Sequence, residues 1–198
     1  MSAGKPFSPS SQRNREPILA VLRRHFADRR RVFEIGSGTG QHAVHFAAAL
    51  PHLVWQSADR EPYLPGIRAW LAEAALPNTP EPLMFDVNDV RWPIGPFDAV
   101  FSANTLHIMS WAEVERLFAR LPEILTADAK LAIYGPFNYG GHYTSDSNAA
   151  FDARLRGDAP HMGIRDFEAV DALARGAGFT LLEDCAMPAN NRCLVWTR

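Results

Sequence analysis

The ten residues Arg31-Val32-Phe33-Glu34-Ile35-Gly36-Ser37-Gly38-Thr39-Gly40 limit the folds open to this chain more than any other stretch. A mostly apolar run gives way to three glycines at alternate positions, and residues 41–50 follow with helical spacing. That order predicts a buried strand, a tight turn and a helix. Glycine lets the backbone turn sharply and approach a ligand closely, and the following helix presents unpaired N–H groups. The geometry suits a nucleotide-like ligand.

A dinucleotide site favours G-x-G-x-x-G, with the pyrophosphate on the helix N-terminus. Counted from Gly36, the third glycine of that pattern falls at position 41, where this chain has Gln41. It falls instead at Gly40, and Glu34 stands two residues before the first glycine. The order E-x-G-x-G-x-G resembles the S-adenosylmethionine (SAM) loop of class I methyltransferases. The resemblance implies cofactor contacts for Glu34, Gly36, Ser37, Gly38 and Gly40. SAM carries a sulfonium rather than a pyrophosphate, so a carboxylate beside the loop is tolerable. The competing reading is a turn that serves only strand-to-helix packing.

Strands alternate with helices along the chain. A helix is expected from Pro17, with Ile18, Leu19, Leu22 and Phe26 on one face, after a flexible segment at 1–12. Strands are expected at 31–35, 53–58 (ending in Asp59), 82–85 (ending in Asp86), 97–103, 131–134, 179–185 and 193–197. Helices are expected at 63–74, 111–121 and 166–177, with Asp166 as a cap, and a short one at 147–155. Such alternation implies a mostly parallel sheet covered on both faces, with the strand C-termini on one rim. The last two strands are joined too briefly for a crossover helix, so the last one is expected antiparallel. The expectation is a Rossmann-like α/β three-layer sandwich: a seven-stranded class I methyltransferase sheet in one domain at 13–198, with an acceptor-side insertion around 138–165.

The 198 residues fit one core, and 20 basic against 22 acidic residues leave a formal charge of −2. No global field attracts nucleic acid, so that partner is not expected. The cluster Arg23, Arg24, Arg29, Arg30 and Arg31 reads as a solvated helix end. Cys185 and Cys193 share no metal spacing with histidines, and no H-E-x-x-H pattern groups His42, His45 or the other histidines. No metal is expected. The N-terminus lacks an apolar signal core and no apolar run approaches 18 residues, so a cytoplasmic protein without a membrane partner is expected. No obligate protein partner is evident.

Carboxylates at the strand ends carry the next signal. Asp59, at the end of the second strand, could take the ribose hydroxyls of a nucleotide, or simply cap a turn. Asp86 ends the third strand, where class I methyltransferases commonly place an acidic residue on the adenine amino group; Val87 beside it could lie against the ring. A surface Asx-turn is the plain alternative for Asp86. Asn104 and His107 follow the central strand, whose rim should face the transferable methyl. Asn104 could touch the cofactor or orient the acceptor, and His107 could remove a proton or merely bond a backbone carbonyl.

Five phrases sharpen the resemblance: Arg13-Asn14-Arg15-Glu16-Pro17-Ile18-Leu19, Ser37-Gly38-Thr39-Gly40-Gln41-His42, Tyr134-Gly135-Pro136-Phe137-Asn138, Ser147-Asn148-Ala149-Ala150-Phe151-Asp152 and Met187-Pro188-Ala189-Asn190-Asn191. Together they resemble the small methyltransferase-like family catalogued as domain of unknown function 938. They span the chain, and the resemblance implies the class I fold and SAM binding but supplies no acceptor. The same phrases point to an acceptor side built from Asn14, Tyr134, Asn138, Tyr139, Asn148, Phe151, Asn190 and Asn191. Tyr143 could also cover a planar substrate. Asparagines at turns also serve awkward backbone angles, so each has a structural alternative.

The expected function is SAM-dependent methyl transfer to an unidentified small or medium-sized polar acceptor, with S-adenosyl-L-homocysteine (SAH) as product. The alternative is a non-catalytic SAM-binding sensor or partner protein. A NAD-dependent oxidoreductase ranks third, given Gln41 and no Tyr-x-x-x-Lys pair.

Overall fold

In the computed structural model, which describes residues 5–198, helix α1 spans Pro9–His25, earlier than the sequence suggests. Ser8 is the N-cap: its Oγ accepts the Ser11 amide, and Pro9 fills the first turn, where its missing N–H costs nothing. Pro17 therefore lies inside the helix. The flexible segment expected at 1–12 is corrected accordingly: residues 9–12 are helical, and Lys5 and Pro6 are strapped onto a later helix. There Trp70 Nε1 donates to the Pro6 carbonyl at 2.7 Å, and Lys5 pairs with Glu73. Residues 1–4 of that segment lie outside the described residues.

The chain then runs through β1 (Arg31–Ile35), α2 (Gln41–Ala49), β2 (Val54–Asp59), α3 (Leu64–Ala74) and β3 (Leu83–Met84). It crosses to β4 (Phe97–Ala103), α4 (Trp111–Arg120), β5 (Leu125–Gly135) and the short β6 (Phe137–Asn138). It closes with α5 (Asp146–Asp158), β7 (Arg165–Asp166), α6 (Phe167–Gly176), β8 (Thr180–Met187) and β9 (Asn191–Thr197). The third strand is shorter than expected and the fifth longer. Asp166 is the N-cap of α6, but its side chain makes no capping bond. The β6–β7 pair was not legible in the sequence, since two-residue strands leave no periodicity to read.

Seven strands form one sheet in the order β3-β2-β1-β4-β5-β9-β8. β9 runs antiparallel to both β5 and β8, and the other pairings are parallel. Alternate residues feed opposite faces. Val32 packs with Ile18, Leu22, Phe46 and Ile67 under α1, α2 and α3, while Phe33 packs with Leu117, Phe118 and Val170 under α4 and α6. Burial at about 25 cal/mol per Å² of apolar surface holds the three layers together.

After β1 the chain moves outward to β2 and β3, then returns to the other side of β1 as β4. The order of the strands therefore reverses between β1 and β4. A crevice opens at such a point, outside the strand C-termini.

Candidate functional site

One cavity of about 1350 Å³ occupies that crevice. Its wall is built by the first turns of α1, the glycine loop, the ends of β2 and β4, the loop after β3, α5 and the turn at 188–191. Pockets for one drug-sized ligand run to about 1,000 Å³. This one has room for a cofactor and a second molecule.

The glycines of the loop divide by function. Gly36 has φ +72°, and a Cβ there would stand 2.5 Å from Thr105 Oγ1, so the loops after β1 and β4 meet at this residue. Gly38 has φ +57° and nothing within 4 Å of where a Cβ would lie, on the cavity side. Gly40, at φ +89°, instead faces the Ile67 backbone at 3.0 Å and serves the packing of α2 on α3. It does not line the cavity, so its expected cofactor contact is corrected.

Glu34 is corrected as well. It is 2 % exposed and lies beneath the loop, where Trp55 Nε1 and Ser37 Oγ donate to its Oε2 at 3.0 and 2.9 Å. Ser37 Oγ in turn accepts the Ala58 amide at 3.1 Å. Glu34 thus braces the turn from below and does not line the cavity. Burial pushes its carboxyl up to about 7.

Asp59 accepts the Gly38 and Arg60 amides, each at 2.7 Å, which ties the end of β2 to the glycine loop. Burial raises its pKa. Asp86 accepts the Asn88 amide at 2.8 Å through Oδ1, the Asx-turn that the sequence allowed. Its other oxygen has no partner among the described residues, and both Asp86 and the buried Val87 line the cavity.

Asn104 sits at the end of β4 with φ +57°, a left-handed conformation that asparagine tolerates better than most residues. Its amide donates to the Tyr134 carbonyl at 2.8 Å. The position of a Cβ on Gly135 would lie 3.8 Å from His107 Nδ1 and 3.9 Å from Asn104 Oδ1, so the missing side chain leaves room for both. His107 is buried, and its ring meets Phe151 edge-on at 5.3 Å. Among the described residues nothing hydrogen-bonds its ring nitrogens. Burial, with Arg165 nearby, lowers its pKa to about 4, so the imidazole is neutral at physiological pH.

The acceptor-side expectations divide too. Asn14, Tyr134, Asn148, Phe151 and Asn191 line the cavity. Asn14 Oδ1 accepts from His42 Nε2 at 2.7 Å. Asn148 Nδ2 donates to Thr144 Oγ1 and the Asn190 carbonyl, and Asn191 Nδ2 to the carbonyls of Pro188 and Ala189. These amides therefore hold the wall in shape.

Asn138, Tyr139 and Asn190 do not line the cavity. Asn138 is buried with its Oδ1 unpartnered. Tyr139 donates to Asp184 at 2.7 Å and stacks on Phe167, and the Tyr143 hydroxyl, also off the wall, is taken by Asp152. Asn190 adopts φ +57° in the turn before β9, the structural role that asparagine often fills there. Sequence reasoning missed Arg13, Thr105 and Arg154 in the wall. Arg13 was legible as Asn14's neighbour on the exposed side of a helix, but the helix was placed too late.

A model of the family described as "Protein of unknown function (DUF938)" matches residues 5–198. The chain belongs to this family. Solved structures share its fold. The S-adenosylmethionine-dependent methyltransferase SibL in its apo form matches with a TM-score of 0.80 at 25% identity, covering 96% of this chain and 55% of that one. The mitomycin 7-O-methyltransferase MmcR gives 0.83 at 19% identity, over 96% and 54%. An O-methyltransferase family protein from Burkholderia thailandensis gives 0.82 at 18% identity, over 92% and 55%. The likeness shows the class I methyltransferase fold, and this chain spans about half the length of each of these proteins. Among the described residues of this family member, no helix is long and apolar enough to cross a membrane, and no three His, Cys, Asp or Glu side chains group to hold a metal ion.

Proposed function

We propose that this protein is a SAM-dependent methyltransferase acting on a small polar acceptor. The observation that carries the reading is the cavity at the β1/β4 reversal: its glycine loop is open at Gly38, and free carboxylate capacity lies at the ends of β2 and β3. The residues fit an adenosyl cofactor. Gly38 offers bare backbone, Asp59 is fixed at the loop with lone pairs left for ribose hydroxyls, and Asp86 with Val87 offers an acceptor oxygen beside an apolar surface. The name of SibL, an S-adenosylmethionine-dependent methyltransferase, supports the same cofactor class.

When bound, SAM supplies a methyl group already activated on a sulfonium. The protein's part is then to bind, orient and exclude water. Neutral His107 can accept a hydrogen bond from the acceptor's O–H or N–H at a free ring nitrogen, holding the nucleophile at the β4 rim. With its pKa near 4 it is a weak base, so it acts mainly by orientation. Asn104, whose Oδ1 shares the space beside Gly135 with His107 Nδ1, would fix the other side of the same spot.

A sealed sensor would need no path to the methyl group. Here the wall runs on past His107 to Ile108, which is 43% exposed, and to the exposed Arg154 and His161. That extension favours a catalyst over a sensor.

Asp86→Ala tests the reading. It is expected to weaken SAH binding roughly 10- to 100-fold, the loss of a hydrogen bond to a charged group, without a change in the folded circular-dichroism spectrum. Unchanged affinity in the folded variant removes Asp86 from the cofactor site.

A further inference from the structure

On the reading above, the acceptor lies at His107, and the wall beside it carries its own charge. Arg154 lines the wall from α5 and is exposed. No carboxylate among the described residues stands within ion-pairing distance of it. Asp152, on the same helix, is taken up by Arg156, by the Tyr143 hydroxyl and by the Ile164 amide. Glu113, the acidic residue in the wall after β4, is held by Ser110 and Asn88. The guanidinium lies 5.5 Å from the centroid of Phe151, and the Phe151 ring meets His107 at 5.3 Å and 78°. A cation, a flat apolar ring and a neutral imidazole with unbonded nitrogens thus follow one another along one wall.

We propose that the acceptor is a small aromatic acid, its ring on Phe151, its carboxylate on Arg154 and its methyl-accepting hydroxyl or amine at His107. Each part of the wall selects one part of that molecule. A guanidinium offers paired donors that match a carboxylate's two oxygens, and with no carboxylate partner among the described residues it gives up no ion pair there to bind one. Phe151 gains an offset or edge-on aromatic contact. A neutral acceptor would leave Arg154 to water, and a cationic one would be repelled by it.

The test uses the full chain saturated with SAH, after SAH binding has been measured by calorimetry. Benzoate, benzamide, 4-hydroxybenzoate, 4-hydroxybenzamide and inorganic phosphate are then titrated by ligand-observed NMR. The acids are expected to bind about tenfold more tightly than their amides. Arg154→Gln is expected to erase that difference while leaving the SAH affinity and melting temperature unchanged, because the side chain is exposed and pairs with no carboxylate among the described residues. Equal binding of acid and amide, a preference that survives Arg154→Gln, or no binding of either acid at about 5 mM overturns the proposal. Phosphate binding more tightly than benzoate also overturns it, and points to a phosphoryl group at Arg154. Failure of SAH to bind at the first step falls on the methyltransferase reading itself, which separates the two.

Discussion

Gly36→Ala is expected to lower the melting temperature by roughly 10 °C and to abolish SAH binding. An alanine at 36 would have to hold φ +72°, which costs an L-residue about 1–2 kcal/mol. Its methyl would also stand 2.5 Å from Thr105 Oγ1 and 2.9 Å from Thr105 Cγ2. Thr105 cannot easily step aside. It is branched at Cβ, and its hydroxyl donates to the Ala103 carbonyl at 3.2 Å. The loops after β1 and β4 must then part, for a total on the order of 3 kcal/mol. Gly38→Ala is the control. It carries a similar backbone penalty at φ +57° but meets no atom within 4 Å, so it should cost only a few degrees. Its methyl points into the cavity, so it should still impair SAH binding. Equal melting temperatures for the two variants, read by calorimetric scans, would contradict this account of the loop.

The second large effect lies in the pH dependence of stability. Glu34 has an ordinary value of 4.5, raised to about 7 in the fold by burial. Below about pH 4.5 both the folded and the unfolded chain carry the proton, and Glu34 costs nothing. Between pH 4.5 and 7 the unfolded chain ionises first, so stability falls as pH rises. Above pH 7 the loss is constant, on the order of 3 kcal/mol. His42 and His107, both lowered to about 4 by burial, act in the opposite direction: their contribution is lost as pH falls from 6.5 toward 4. The difference between wild type and Glu34→Gln isolates the carboxyl, since glutamine keeps an oxygen for Trp55 and Ser37. In cofactor-free protein, Glu34→Gln should stabilise the fold by roughly 5–10 °C at pH 8 and hardly at all at pH 4.5. A difference that grows toward acid pH would mean that the fold lowers the Glu34 pKa instead of raising it.

The sheet was legible because its strands are apolar runs bounded by turns. Residues 31–35 and 97–103 coincide with β1 and β4. The brief link at 186–192, shortened to 188–190 in the structure, told of an antiparallel end, as β9 confirms. The start of α1 was misread because Pro17 suits a first helical turn, whereas Ser8 and Pro9 supply the cap. Ser8 sits in a Ser- and Pro-rich stretch that looks loose by composition. Within the site, backbone-driven features were readable: Gly36, Gly38 and the aspartates at the strand ends all reach the cavity. Side-chain direction was not. Glu34 and Gly40 belong to the right motif but face the core, and Tyr139 and Asn190 belong to the right loops but face their own supports. Arg154 was hidden for the opposite reason. One arginine on a short polar helix looks like surface until the fold turns it toward a cavity.

The central claim is that this cavity holds an adenosyl cofactor, and calorimetric titration of the cofactor-free protein with SAM, SAH and NAD tests it most directly. The account predicts micromolar binding of SAM and SAH, one molecule per chain, with no detectable binding of NAD. Binding of NAD alone, or of none of the three, would contradict it.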